Sequence, residues 1–199
     1  MEYALGICSL CRRLCLLYQE ICEPCMCALE SLLYRTRTGH WCERCGAPLL
    51  HPDAICMHDT AVDTVIRLMP YTGTAKRLLM QYRDHQVRSL VHTFHYLLQP
   101  TLLSLGYTMI IPVPVRPRIQ GWDHLRYLAK RCRSALIASE SLVHMNSMCP
   151  DRGKQLLASY DSVVVLQDVY TAESSLHSYI ETLRKVSGRP VFGLCIMMD

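Results

Sequence analysis

The chain has 199 residues, 12 cysteines, a formal net charge of +4, half of its residues hydrophobic and 19% charged. That length allows one or two domains and excludes a large multidomain machine. The apolar fraction excludes intrinsic disorder, because there is enough side chain to bury a core.

The cysteines fall unevenly. Nine of them lie between Cys8 and Cys56, and only Cys132, Cys149 and Cys195 follow. The charges divide too: residues 1–62 carry five basic and seven acidic side chains, and residues 63–199 carry sixteen and ten. This predicts a cysteine-dependent module over 1–62 and an ordinary globular domain over 63–199. Seventeen of the 21 basic residues are arginine, which suits bidentate contact with phosphate or carboxylate.

The N-terminal module contains an internal repeat. Cys8-x2-Cys11 is followed by Cys22-x2-Cys25. The pair Cys42-x2-Cys45 is followed by Cys56 and Asp59, each 34 positions beyond its partner in the first half. A CxxC turn puts two thiolates on one metal, and a second turn completes a tetrahedron. The pattern therefore predicts two structural zinc sites. One is Cys8, Cys11, Cys22 and Cys25; the other is Cys42, Cys45, Cys56 and Asp59, with His58 as a rival fourth ligand. Gly46, directly after Cys45, supports the second site, because such turns favour a residue tolerant of positive φ. Cys15 and Cys27 have no repeat partners and are expected to pack.

The second part should alternate strands and helices. A strand or connector is expected over 62–70, a turn at Tyr71-Thr72-Gly73 and a helix over 75–82 capped by Thr74. A second helix is expected over 87–98, stopped by Pro100. The apolar run 109–115 reads as a buried central strand ended by Pro112 and Pro114. A loop holding Arg116, Arg118, Gly121 and Trp122 precedes a helix over 123–137, with Trp122 as an anchor rather than a base-stacking platform. Residues 162–166 form the clearest strand, followed by Gln167–Thr171 as a loop, a helix over 172–186 and a last strand over 191–197. Strand–helix alternation implies an α/β fold with a parallel sheet. In such sheets ligands sit beyond the carboxyl ends of the strands, where Arg116, Arg118, Asp168 and Thr171 are expected.

No export signal is expected, since Glu2 and Arg12–Arg13 interrupt the early apolar residues. The uncharged stretch 89–115 is broken by Pro100, Gly106, Pro112 and Pro114, so no membrane span is expected. The chain reads as soluble and cytoplasmic, a compartment where clustered CxxC pairs mean metal more often than disulfides.

The order of these parts resembles the ComF family, across nearly the whole chain. The resemblance rests on the CxxC repeats, Tyr71-x-Gly73, Ile111-Pro112-Val113-Pro114, Gly121-Trp122-Asp123-His124 and the segment from Val163 to Thr171. It implies a double zinc ribbon before a type I phosphoribosyltransferase-like domain. The segment 163–175 is similar to the loop that holds the ribose and 5-phosphate of phosphoribosyl pyrophosphate, with Asp168 at the ribose and Thr171, Ser174 and Ser175 at the phosphate. Arg116 and Arg118 would meet pyrophosphate oxygens, with Mg2+ accompanying that ligand. The loop departs from the family pattern: Gln167 replaces the first acid, and Ala172 and Glu173 stand where threonine and glycine are usual. Glu173 at a helix N-terminus repels an incoming phosphate. The resemblance implies an accessory protein of natural competence handling imported single-stranded DNA or competence-related proteins, with a degenerate phosphoribosyl pyrophosphate site. An active phosphoribosyltransferase acting on a nucleobase or amine, and a zinc-dependent protein-interaction module, are the alternatives.

Overall fold

The computed structural model describes residues 5–16, 20–33, 65–106, 108–113, 122–132, 159–171, 176–187 and 189–198. The N-terminal part opens with a two-stranded antiparallel ribbon, β1 (Leu5–Ile7) and β2 (Leu14–Leu16), in register Leu5↔Leu16, Gly6↔Cys15 and Ile7↔Leu14. Alternation sends Cys15 inward and the pair Ile7 and Leu14 outward. Helix α1 (Glu23–Glu30) follows, with Cys22 at its N-cap. Pro24 and Glu23 occupy the first turn, where a missing N–H costs nothing and a negative charge meets the helix dipole.

The larger part is a four-stranded parallel sheet in the order β3 (Val65–Pro70), β6 (Val191–Met198), β5 (Ser162–Tyr170), β4 (Thr108–Pro112). The first and last strands to be hydrogen-bonded across the sheet are the edges. The connection between them runs through helix α2 (Gly73–Arg83), a 3-10 turn (Arg88–Leu90) and helix α3 (Val91–Ser104). Helix α4 (His124–Arg131) precedes β5, and helix α5 (Leu176–Ser187) joins β5 to β6. The expectation of an α/β fold with a parallel sheet holds.

Two apolar layers sandwich the sheet. Val164, Leu166, Leu194 and Ile196 pack with α2, α3 and α4 on one side. Val163, Val165 and Val191 pack with Leu176, Ile180 and Leu183 of α5 on the other. This accounts for the unbroken apolar runs of β4 and β5, which have no solvent face. Gly193 is required by the second layer. A Cβ there would lie 2.9 Å from Ile180 Cδ1 and 3.1 Å from both Leu176 Cδ2 and Val65 Cγ2. Cys8, Ile21, Leu29 and Leu33 of the cysteine part join the first layer, and Tyr96 donates to Glu30 across it at 2.7 Å.

Helix α2 starts at Gly73 with Thr72 at its N-cap, so Thr74 lies in the first turn and is not the cap that was expected. The structure corrects two further expected boundaries. Pro100 does not stop the second helix: α3 continues to Ser104 and ends where Gly106 takes φ +79°. The hydrogen bond Pro100 cannot donate belongs to the carbonyl of Tyr96, a residue on the exposed side of the helix, while Leu97, Leu98 and Leu102 hold the buried side. The second correction concerns β5, which does not end at Leu166 but runs to Tyr170. Its neighbour β6 is long enough to keep pairing, at Gln167↔Cys195, Val169↔Met197 and Tyr170↔Met198, after β4 has stopped at Pro112. Asp168 is therefore strand rather than loop.

Candidate functional site

The four thiols of the first repeat converge. The sulfurs of Cys8, Cys11, Cys22 and Cys25 all lie within 4.8 Å of one another, with Cys11 and Cys22 at 3.5 Å. Thiolates around one zinc at about 2.3 Å sit about 3.8 Å apart, so this donor set fits a tetrahedral metal ion. Two backbone turns build it. Between β1 and β2 the Cys8 N–H donates to Arg13 O at 2.8 Å and the Arg12 N–H to Cys8 O at 3.0 Å, with Arg12 in the left-handed region at φ +65°. At the start of α1, the N–H groups of Cys25 and Met26 both donate to Cys22 O at 3.0 Å.

The thiols differ electrostatically. Burial pushes the Cys8 thiol up, but N–H groups of Cys11, Cys22 and Leu10 outweigh it and hold it at about 6. Cys25 is pushed up by burial, by hydrogen bonds with its neighbouring thiols and by the charge on Cys8. Cys22 also rises, because burial and its contacts with Cys11 and Cys8 outweigh a backbone hydrogen bond at Cys25. One thiolate forms readily and opposes the next, so full ionisation calls for a cation at the centre. Cys15 is buried beside this cluster, whereas Cys27 is exposed and does not pack as expected. The second set, Cys42, Cys45, Cys56 and Asp59 with His58, lies outside the described residues.

A second cluster sits at the carboxyl end of the sheet. Asp168 is 8% exposed and each of its oxygens is engaged. Oδ1 accepts from the Val169 N–H at 2.8 Å; Oδ2 accepts from Arg83 Nη1 at 3.1 Å and meets His124 Nε2 at 3.2 Å. Arg83 comes from the last turn of α2 and His124 from the first turn of α4, so this carboxylate ties three elements together. Burial pushes Asp168 up, but hydrogen bonding and charge from His124, then Arg83 and the Val169 N–H, hold it down at about 2. Arg83 in turn grips Asp84 through Nε at 3.0 Å and is pushed above its ordinary value. Tyr82 donates to His124 O at 2.8 Å, and the Trp122 indole donates to Arg83 O at 3.1 Å. Trp122 is buried and serves as the expected anchor.

Thr171 follows β5 directly and is exposed. Arg116, Arg118, Ser174 and Ser175 lie outside the described residues, so the expected phosphate contacts are reduced there to Thr171. Gln167 donates its side-chain amide to Val169 O at 2.9 Å.

Sequence reasoning assigned no role to Arg83, and it noticed His124 only as part of a motif. Both reach Asp168 from distant positions, 85 and 44 residues away, and spacing carries no signal for such a contact. It also passed over Arg67, which is 5% exposed with its guanidinium 4.6 Å from the Tyr170 ring centre. The Tyr170 hydroxyl meets His177 Nε2 at 2.8 Å. No helix among the described residues is long and apolar enough to cross a membrane. In comparison with known proteins, no family model matches the chain and no curated protein sequence matches it significantly.

Proposed function

We propose that the chain is a ComF-like accessory protein of natural competence that handles imported single-stranded DNA on the cytoplasmic side. In this reading the cysteine part is a zinc ribbon, the α/β part is phosphoribosyltransferase-like, and its phosphoribosyl pyrophosphate site is degenerate. The observation that carries the degenerate site is the state of Asp168. The carboxylate that would accept ribose hydroxyls is buried and already engaged by Arg83, His124 and the Val169 N–H. Displacing those partners would strand a buried charge, a change that costs about 3–5 kcal/mol. Gln167 adds no acid beside it.

Calorimetry with phosphoribosyl pyrophosphate and Mg2+ tests this directly. No heat of binding is expected. Saturable heat, followed by pyrophosphate release with a nucleobase or amine, would replace the accessory reading with a working transferase. The DNA half predicts single-strand binding that weakens steeply with salt. A zinc-dependent protein-interaction module remains as the second reading, favoured by the outward pair Ile7 and Leu14, 58% and 69% exposed on the ribbon. Elemental analysis showing no zinc would remove the ribbon from both.

A further inference from the structure

The outer face of α4 carries Arg126, Tyr127 and Lys130, all exposed, while Leu125, Leu128 and Ala129 face the core. Positions 126, 127 and 130 stand together because the helix repeats about every 3.6 residues. The 3-10 turn brings Arg88 against this face, with its guanidinium 5.2 Å from the Trp122 ring centre. Together Arg88, Trp122, Asp123, Arg126, Tyr127 and Lys130 line a groove of about 290 Å³.

Three cations and one carboxylate meet there, which leaves an excess of positive charge; Asp123 Oδ1 accepts the Arg126 N–H at 2.9 Å as the cap of α4. Among the described residues, no acidic side chain forms an ion pair with Arg88, Arg126 or Lys130. The aromatic members have separate duties. Trp122 is buried beneath Arg88, whereas Tyr127 is 41% exposed and its ring centre lies 5.4 Å from that of Trp122, which supports it from behind. Cations that make no ion pair among the described residues, set around one supported, exposed aromatic ring, are what an unpaired nucleotide needs: phosphates on the cations and a base on the ring. A duplex hides its bases from such a ring, and a peptide of Asp and Glu offers it no aromatic face.

We propose that the groove between Arg88 and α4 binds single-stranded nucleic acid, with Arg88, Arg126 and Lys130 on the phosphates and Tyr127 stacked on a base. This rests on the proposed function only for the choice of DNA; the groove chemistry is shared by DNA and RNA. The test is fluorescence anisotropy of the full zinc-loaded chain with labelled oligothymidine and oligouridine of about twelve nucleotides, within the usual span of such sites.

The wild type binds at low salt. The triple variant R88A/R126A/K130A weakens binding at least about tenfold and lowers the magnitude of the log–log salt slope by about 2, three contacts at about 0.7 each. Tyr127→Ala weakens it about tenfold, and Tyr127→Phe restores it. Should the triple variant lose zinc or helix content, Lys130→Gln alone carries the test with a slope change of about 0.7. Unchanged affinity in the charge variants overturns the groove while leaving the competence reading standing. Loss in the charge variants with none in Tyr127→Ala overturns the stacking and leaves a plain anion patch. A wild type that binds neither strand overturns both the groove and the DNA reading. Binding to uridine alone supports the groove and removes DNA from the proposed function.

Discussion

The chain holds its two regions together by different means. The sheet is a closed sandwich in which β4 and most of β5 are buried and both faces are covered by helices. The ribbon of β1 and β2 has six strand residues and turns Ile7 and Leu14 to solvent. Its order comes instead from four sulfurs within 4.8 Å of one another and from the side it lends to the helix layer. A core of the first kind tolerates a change of solvent chemistry. A thiol centre that holds a structural metal does not, because its folding energy is then its metal affinity.

Metal removal is the sharpest way to separate the two. Structural zinc contributes on the order of 10 kcal/mol of binding free energy at neutral pH. With a strong chelator, hydrogen exchange is expected to accelerate at the amides of Arg12, Cys25 and Met26, whose bonds build the thiol turns, and to stay slow in β5 and β6. Exchange accelerating equally in both regions would mean that the ribbon is an integral part of the sheet's folding unit.

The next largest effect belongs to the sheet. Asp168→Ala leaves Arg83 and His124 facing a buried gap and is expected to cost about 3–5 kcal/mol in urea unfolding. The pH dependence follows from the same contacts. The folded value of about 2 lies below the ordinary aspartate value of about 3.9. The stabilisation is thus present above pH 4 and is lost as pH falls toward 2, an amount on the order of 2 kcal/mol. Asp168→Asn should abolish that acid limb. A limb unchanged in Asp168→Asn would assign it to another carboxylate.

A smaller effect tests how closely α5 lies on the sheet. Gly193→Ala forces a methyl against Ile180 and Leu176, and overpacking of this kind costs about 1–3 kcal/mol. A neutral outcome in thermal unfolding would mean that α5 shifts to admit it.

How legible these features were depends on the range of the contact. The buried strands could be read because apolar runs such as Val163–Leu166 are local, and the first thiol set could be read because its spacing is local. Pro100 misled because its rule assumes the lost hydrogen bond matters, and here that bond belongs to a residue on the exposed side of α3. Gln167–Tyr170 was read as loop because its pairing is decided by the length of β6, a strand more than twenty residues later. The cluster around Asp168 was invisible for the same reason: Arg83 and His124 reach it only once the sheet and two helices are in place. On α4, residues 126, 127 and 130 share a helical face, a local signal, but the Arg88 that completes the groove arrives from another element.

The smallest predicted effect concerns a single backbone angle in the ribbon. Arg12 sits at φ +65°, a region that costs a residue with a Cβ about 1 kcal/mol relative to glycine. Its position matters because the turn it closes presents the Cys8 and Cys11 sulfurs. Gly46 stands 34 residues further on, at the corresponding place of the second repeat, so the repeat carries glycine in one half and a strained arginine in the other. Arg12→Gly should relieve the strain, with part of the gain offset by the greater freedom of glycine in the unfolded chain. Arg12→Val should do the reverse, since a β-branched residue tolerates positive φ least. Competition with a chelating dye should therefore rank zinc affinity as Gly at or above Arg and Arg above Val, within about tenfold overall. Equal affinity in all three would mean that the metal, not the backbone, shapes the turn, and the ribbon would then depend on its ion even more completely than its four thiols imply.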